Sequence, residues 1–293
     1  MNLQHLNKKI DAYERLMRLD KPIGILLLLW PTLWALIIAG QGKPDWIIVL
    51  IFITGTVLMR SAGCVLNDLA DHRFDGLVER TKHRPLITNE VSKKEAYWLA
   101  AGLCIAAFGL VCLMNRLTIY LSVAALFLAT TYPLTKRFFA IPQAYLGIAF
   151  GMGIPMAFAA ITGGVPSVAW LLMVANVFWA MAYDTEYAMI DRADDLKIGI
   201  KSSAITFGRF DVLAVMLCYM VTILLLITAG QQLALGYGFY GGLVAAAVVA
   251  IHHYGLIKGR EKSQCFKAFL HNNWFGFAVF AGLAVHYLMQ YQQ

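Results

Sequence analysis

Eight of the 17 acidic residues in this chain of 293 fall into two short stretches: Asp68, Asp71 and Asp75, then Asp184, Glu186, Asp191, Asp194 and Asp195. On a helix, Asn67, Asp71 and Asp75 recur one turn apart on a single face, with Asp68 flanking it and Arg60 on the same stripe two turns earlier. Asp191 and Asp195 repeat that step, and Asp184 stands two turns before Asp191 on the same side. Carboxylates one turn apart destabilise a helix by roughly 0.2–0.5 kcal/mol, and they repel more strongly in a low dielectric. Such pairs call for a counterion, and a hard divalent cation suits them. Magnesium takes a few carboxylates together with water and the phosphates of a substrate, in preference to a closed protein cage. One cluster from each half of the chain predicts magnesium bridging a diphosphate. A hydrated acidic surface is the ordinary reading of a charge run; the same spacing at two separate places argues against it.

Basic residues able to hold phosphate oxygens stand around these acids: Arg73, Lys82 and Arg84, then Lys136 and Arg137, then Lys197 and Lys201. The short turn from Tyr132 and Pro133 to Lys136 and Arg137 leaves its two cations little room away from the acids, so these two are expected to meet substrate.

The elements that carry these residues are membrane helices. Hydrophobic residues make up 60% of the chain and charged residues 14%, against about 25% charged in a soluble domain. A helix needs about 20 residues to cross a hydrocarbon core ~30 Å thick. Nine blocks of that kind run approximately over 23–40, 46–66, 96–113, 117–134, 139–161, 167–183, 212–229, 237–257 and 273–290. The fold class expected is all-α, a polytopic membrane protein of nine transmembrane helices. The first block lacks a small-x-small cleavage site and is read as a span. Of 24 Lys and Arg residues, 21 lie in the N-terminal arm or in the loops after blocks two, four, six and eight, which places the N-terminus in the cytoplasm. Residues 1–22 form an N-terminal segment whose Leu3, Leu6, Ile10, Tyr13 and Met17 make an apolar stripe, predicting a surface helix. Residues 23–293 form one transmembrane domain.

The net charge of +7 belongs to this cytoplasmic collar; no basic helix or aromatic RNA-binding stretch stands outside the spans, so nucleic acid is excluded. The five cysteines form no Cys-x-x-Cys pair and read as buried small hydrophobes. His252 and His253 are adjacent, point about 100° apart and have no Cys or His nearby in sequence, so no metal is expected there. Gly147, Gly151 and Gly153, with Phe150 and Phe158, line a channel or allow close helix packing. A cation-coupled transporter is an alternative of another class, since membrane acids also mark ion paths; the acids here stand at span ends, none at mid-membrane. An alcohol phosphotransferase requires Asp-Gly-x-x-Ala-Arg, which the chain lacks.

The run from Arg60 through Asn67-Asp68-x-x-Asp71-x-x-x-Asp75, the following Arg80 to Leu86, and Tyr183-Asp184 through Asp191 to Asp194-Asp195 resemble the UbiA superfamily of intramembrane aromatic prenyltransferases. The similarity covers almost the whole chain. The stretches Leu29-Trp30-Pro31-Thr32-Leu33-Trp34-Ala35 and Lys197 to Ser202 are most similar to the bacterial branch that prenylates 4-hydroxybenzoate in ubiquinone synthesis. This resemblance implies nine helices around a central cavity in a bacterial inner membrane, with the reaction on its cytoplasmic side. It implies polyprenyl diphosphate and 4-hydroxybenzoate as substrates, and magnesium held by Asp68, Asp71, Asp75, Asp191 and Asp195. Asn67 and Asp184 then join substrate binding, Lys136 and Arg137 stabilise the departing diphosphate, and Asp191 activates the phenol or takes up its proton. Arg60 either meets the substrate carboxylate inside the cavity or snorkels to the cytoplasm. Sister enzymes acting on haem, chlorophyllide or naphthoquinone precursors share the acid motifs.

Overall fold

The computed structural model describes residues 3–292. Helix α1, Leu3–Met17, precedes the apolar helix α2, Ile23–Ala39, which starts after Pro22. Helix α3, Trp46–Asp75, is started by Asp45, whose carboxylate accepts from the Ile47 amide at 2.7 Å. Its 30 residues, at about 1.5 Å each, exceed a bilayer crossing and carry the helix beyond the hydrocarbon core. Helix α4, Lys93–Val111, opens on a capping box between Ser92 and Glu95, and α5, Arg116–Thr135, on the Asn115 side chain. Helices α6, Pro142–Gly151, and α7, Gly153–Thr162, follow. The second long helix, α8, Ser167–Ile198, stops at Gly199 with φ +71°. A short α9, Ser203–Phe207, and a 3₁₀ turn lead into α10, Asp211–Gln232, then α11, Tyr237–Ile257, and α12, Lys262–Gln290.

Eight helical stretches are long and apolar enough to cross a membrane, and the 17-residue α2 makes a ninth apolar helix among the described residues. The expected nine-helix architecture is present with two changes of detail. The span expected over 139–161 is broken at Met152, because Pro155 has no amide for the Gly151 carbonyl four residues back. The acidic stretches expected after blocks two and six are the last turns of α3 and α8 themselves, so each cluster sits on a continuous helix.

The core is held by aromatic stacking and close backbone approach. Trp179 stacks on Trp34 at 5.3 Å and on Phe275 at 5.4 Å between ring centroids. A Cβ on Gly147 would lie 2.8 Å from the Val177 Cα, and one on Gly153 would collide with the Thr32 hydroxyl, so these two glycines serve packing. Phe158 is buried in the same core, whereas Phe150 faces the central cavity.

Helix α1 lies against the start of the molecule's acidic region. Its Ala12 and Leu16 are buried with Val65, Leu86 and Val91, and Tyr13 and Met17 pack at the edge of that cluster. Of the stripe expected to face the membrane, Ile10 is exposed, while the Leu3 and Leu6 side chains lie outside the described residues. The terminal residues 1–2 and 293 also lie outside the description.

Candidate active site

Two adjoining cavities meet where α3, α5 and α8 end. The larger, about 980 Å³, runs between the helices and is lined mostly by apolar side chains such as Leu27, Phe52, Phe150, Met156 and Phe269. The smaller, about 180 Å³, is polar and is walled by Asp71 and Asp75 from α3 and Asp191 and Asp195 from α8. Asn67, Arg80, Arg84, Tyr132, Asp184 and Tyr187 line both and form the boundary between them. The four-residue spacing thus brings two carboxylates from each half of the chain to one small cavity.

Each wall acid except Asp195 is met by a cation from another segment. Lys136, just past α5, donates its ammonium to Asp71 Oδ2. Arg84 donates Nη1 to Asp75 Oδ2 at 2.6 Å and lies 2.9 Å from Asp68 Oδ1. Arg80 holds Asp191 through Nε, at 3.1 and 3.0 Å from its two oxygens, and through Nη2 at 2.5 Å. The Arg80 guanidinium also lies 4.7 Å from the Tyr187 ring centroid. Such paired, forked contacts are the geometry by which Arg recognises carboxylate and phosphate alike.

The segment after α8 closes the small cavity. Ser203 donates its amide to Gln143 Oε1 at 2.9 Å, the Lys201 amide donates to the Lys136 carbonyl at 2.9 Å, and the Lys201 ammonium donates to the Phe138 carbonyl at 2.9 Å. These bonds hold Lys201 and Ser202 against the acids.

Arg60 enters the larger cavity from α3. Gly24 of α2 makes room for it, since a Cβ there would lie 2.5 Å from Arg60 Nε. Its Nη1 donates to Cys64 Sγ at 2.9 Å, its guanidinium lies 5.7 Å from the Phe150 ring centroid, and its Nε is buried with no hydrogen-bond partner. A buried guanidinium with an unsatisfied donor in a cavity is a site for an anionic group.

Three residues expected at the site stand elsewhere. Asp68 does not face the small cavity: it lines the large one, 2% exposed, between Arg18 and Arg84. The reason is angular, since Asp68 follows Asn67 by one residue and is turned about 100° from the Asn67-Asp71-Asp75 face. Arg137 lines neither cavity; it is exposed, donates to the Ala70 carbonyl at 3.1 Å and lies over Phe74. Glu186 points away from its neighbours into the helix packing, where it accepts from Tyr219 and Asn272 at 2.9 Å each. Of the outlying cations, Lys82 pairs with Glu79, Lys197 with Asp194, and Arg73 is exposed.

The histidines also differ from expectation. His253 is fully buried and joins the Tyr219 hydroxyl at 2.8 Å, and His252 stacks on His271 at 5.5 Å. A histidine distant in sequence is therefore a neighbour, although no three His, Cys, Asp or Glu groups among the described residues form a ready metal cage. Residues absent from the sequence reading are Arg18, Arg80, Tyr132, Gln143 and Tyr187. The Arg80 to Arg84 spacing was the one available signal.

Whether the donors fit magnesium can be judged from the small cavity itself. Its donors are hard carboxylate oxygens, and Asp71 Oδ1 is buried with no hydrogen-bond partner. A cation that takes a few protein carboxylates and completes its shell with water and phosphate fits such a set.

The model of the UbiA prenyltransferase family matches residues 28–281. The 4-hydroxybenzoate octaprenyltransferase of Azoarcus sp. (strain BH72) is 64% identical over 97% of this chain and 99% of its own length. That of Dechloromonas aromatica (strain RCB) is 63% identical over 99% and 98%. Among solved structures, the apo UbiA homolog from Aeropyrum pernix K1 superposes with TM-score 0.78 at 25% identity, covering 89% of this chain and 97% of its own. The UbiA homolog from Archaeoglobus fulgidus bound to GPP and Mg2+ superposes with TM-score 0.69 at 18% identity, covering 92% and 99%.

Proposed function

The chain belongs to the UbiA prenyltransferase family, and from that premise we propose how its two cavities divide the reaction. The protein transfers a polyprenyl group from polyprenyl diphosphate to the ring carbon beside the hydroxyl of 4-hydroxybenzoate, giving 3-polyprenyl-4-hydroxybenzoate and diphosphate in ubiquinone biosynthesis. The observation that carries this reading is the junction of a small acidic cavity with a large apolar one that contains a single unpaired guanidinium. Support also comes from relatives above 60% identity that bear this activity in their names.

The diphosphate head belongs at the small cavity, with Asp71, Asp75, Asp191 and Asp195 holding magnesium. Bound there, magnesium supplies positive charge that makes diphosphate a good leaving group. Lys136, Arg80 and Arg84 already face the same cavity and bring donors to the phosphate oxygens. Asn67, at the boundary, contacts the bridging end of the head group. Arg137 acts from outside by holding the end of α3 through the Ala70 carbonyl. The prenyl tail lies in the apolar cavity, whose Phe150, Met156 and Phe269 walls exclude water from the allylic carbon as its C–O bond breaks.

Arg60 pairs with the carboxylate of 4-hydroxybenzoate in that cavity. The ring carbon attacks the allylic carbon, and the proton it loses goes to a carboxylate. Asp191 was expected in that role, but both its oxygens are held by Arg80. Asp184, which lines both cavities, is the better-placed acceptor. The Lys and Arg distribution supports a cytoplasmic N-terminus and cytoplasmic acid clusters, in a bacterial inner membrane.

The test is product identification with purified protein, 4-hydroxybenzoate and a polyprenyl diphosphate, with magnesium or with chelator. A product prenylated on carbon, with its phenol free and formed only with magnesium, is expected. Prenylation of a different aromatic acceptor alone would replace the substrate assigned here.

A further inference from the structure

The segment joining α1 to α2 reaches into the cavity. Arg18, the first residue after α1, has φ +59°, a left-handed conformation uncommon outside glycine. Its Nη1 donates to the Arg15 carbonyl at 2.6 Å, closing the end of α1. Its Nη2 donates to both oxygens of Asp68, at 3.0 and 2.8 Å. Asp68 is 2% exposed, and its other partner is Arg84, 2.9 Å away; Arg84 in turn holds Asp75 at 2.6 Å. Four alternating charges therefore run from the N-terminal helix to the wall of the acidic cavity.

Helix α1 is fixed at a second face. Lys9 pairs with Glu95 at 2.8 Å, the Tyr13 hydroxyl donates to Glu95 at 3.2 Å, Arg15 pairs with Glu90, and Ala12 and Leu16 are buried. These contacts hold the Arg18 backbone in place and aim its side chain at Asp68.

The middle of the relay is where charge must balance. One Arg84 nitrogen, Nη1, is shared by two carboxylates, and the Asp68 carboxylate is buried. Asp68 leaves Arg84 available to Asp75 only because Arg18 supplies its second counter-charge. Without Arg18 a buried carboxylate keeps one partner, which a low-dielectric site draws toward it.

We infer that Arg18 is a positioning residue of the active site, acting through Asp68 and Arg84 to place the Asp75 carboxylate, and that Asp68 is a relay member rather than a metal ligand. The inference rests on the reading of the small cavity as the magnesium diphosphate site. It makes the N-terminal helix a working part of that site.

The experiment uses the full chain in detergent and two readouts: Mn2+ binding in the presence of inorganic pyrophosphate, followed by electron paramagnetic resonance, and steady-state prenyl transfer. Arg18→Ala is expected to weaken Mn2+ binding and raise KM for the prenyl diphosphate by about tenfold, with a smaller change in kcat. Arg18→Lys, which keeps the charge but not the fork, is expected to fall between. The deciding variant is Arg18→Ala combined with Asp68→Asn. In a relay, removing the unpaired charge suppresses the first defect, and binding returns to within about threefold of the natural protein. If Asp68 is an independent metal ligand, the double variant is worse than either single one, and the inference is overturned. Arg18→Ala and Arg18→Lys proteins that both bind and turn over like the natural chain would also overturn it. Arg15→Ala, which loosens α1 without touching the cavity, controls for general destabilisation. Failure of the natural chain to bind Mn2+ with pyrophosphate would instead strike the underlying assignment of the cavity, a result distinct from either outcome above.

Discussion

Arg80 takes hold of both carboxylate oxygens of Asp191 across 111 residues of sequence, joining the segment after α3 to the end of α8. That contact closes the acidic cavity from the side facing the apolar one, because Arg80 lines both. A guanidinium placed so can exchange a carboxylate for a diphosphate oxygen with little movement.

Arg80→Ala should therefore lower kcat/KM for the prenyl diphosphate by about 10²-fold, the size typical of losing one donor aimed at developing charge. Arg80→Lys should recover only part of the loss, since an ammonium lacks the fork that grips two oxygens. Steady-state transfer at saturating 4-hydroxybenzoate measures both. Unchanged kinetics in Arg80→Ala would remove this residue from the site.

Arg60 should govern the acceptor and leave the donor alone. Arg60→Ala is expected to raise KM for 4-hydroxybenzoate by about 10- to 100-fold, the worth of a hydrogen-bonded charge pair, while KM for the prenyl diphosphate stays near its original value. Gly24→Ala gives an independent check, because the added Cβ would fall 2.5 Å from Arg60 Nε and displace the guanidinium. It should reproduce the acceptor defect in weaker form. An equal rise in both KM values would show that Arg60 supports the fold and not the acceptor.

The attachment of α1 should depend on pH. The hydrogen bond from Arg15, and after it the one from Thr88, hold the Glu90 carboxyl below its ordinary value of 4.5. A carboxyl depressed in the folded state contributes stability above its unfolded pKa and loses it as pH falls through the folded one. The attachment is thus complete at neutral pH and weakens as pH falls below about 4.5, with a small effect because the pair is partly exposed. Amide hydrogen exchange over residues 3–17 should be slow at neutral pH and faster in acid, and Glu90→Gln should be fast at both.

Much of the site was legible in the sequence because helices keep angular order. Asp191 and Asp195 return to the Asp184 side after two and three turns, and the same arithmetic joins Asn67, Asp71 and Asp75. It also contains the corrections: Glu186 is about 200° from Asp184, and Asp68 about 100° from Asn67, so neither shares the face of its neighbours. Lys136 and Arg137 are likewise adjacent at a helix end, where only one can turn inward, and Lys136 does. Arg18 and Arg80 were not legible. Both lie in irregular segments, outside any helical period, and their partners are 50 and 111 residues away. The break at Met152 had a local signal in Pro155, masked by the uniform apolar character of the block.

The central claim is that two acid clusters, one on α3 and one on α8, act together in magnesium-dependent prenyl transfer. The most direct measurement is lipid-extractable label from radiolabelled 4-hydroxybenzoate in isolated membranes supplied with a polyprenyl diphosphate. It compares the natural chain with Asp71→Asn, Asp191→Asn and Asp194→Asn at matched levels of membrane protein. The account predicts magnesium-dependent labelling that falls by at least about 10²-fold in each of the first two variants. It predicts near-normal labelling in the third, whose side chain pairs with the exposed Lys197. Labelling that survives in either Asp71→Asn or Asp191→Asn, or that proceeds equally without magnesium, would contradict it.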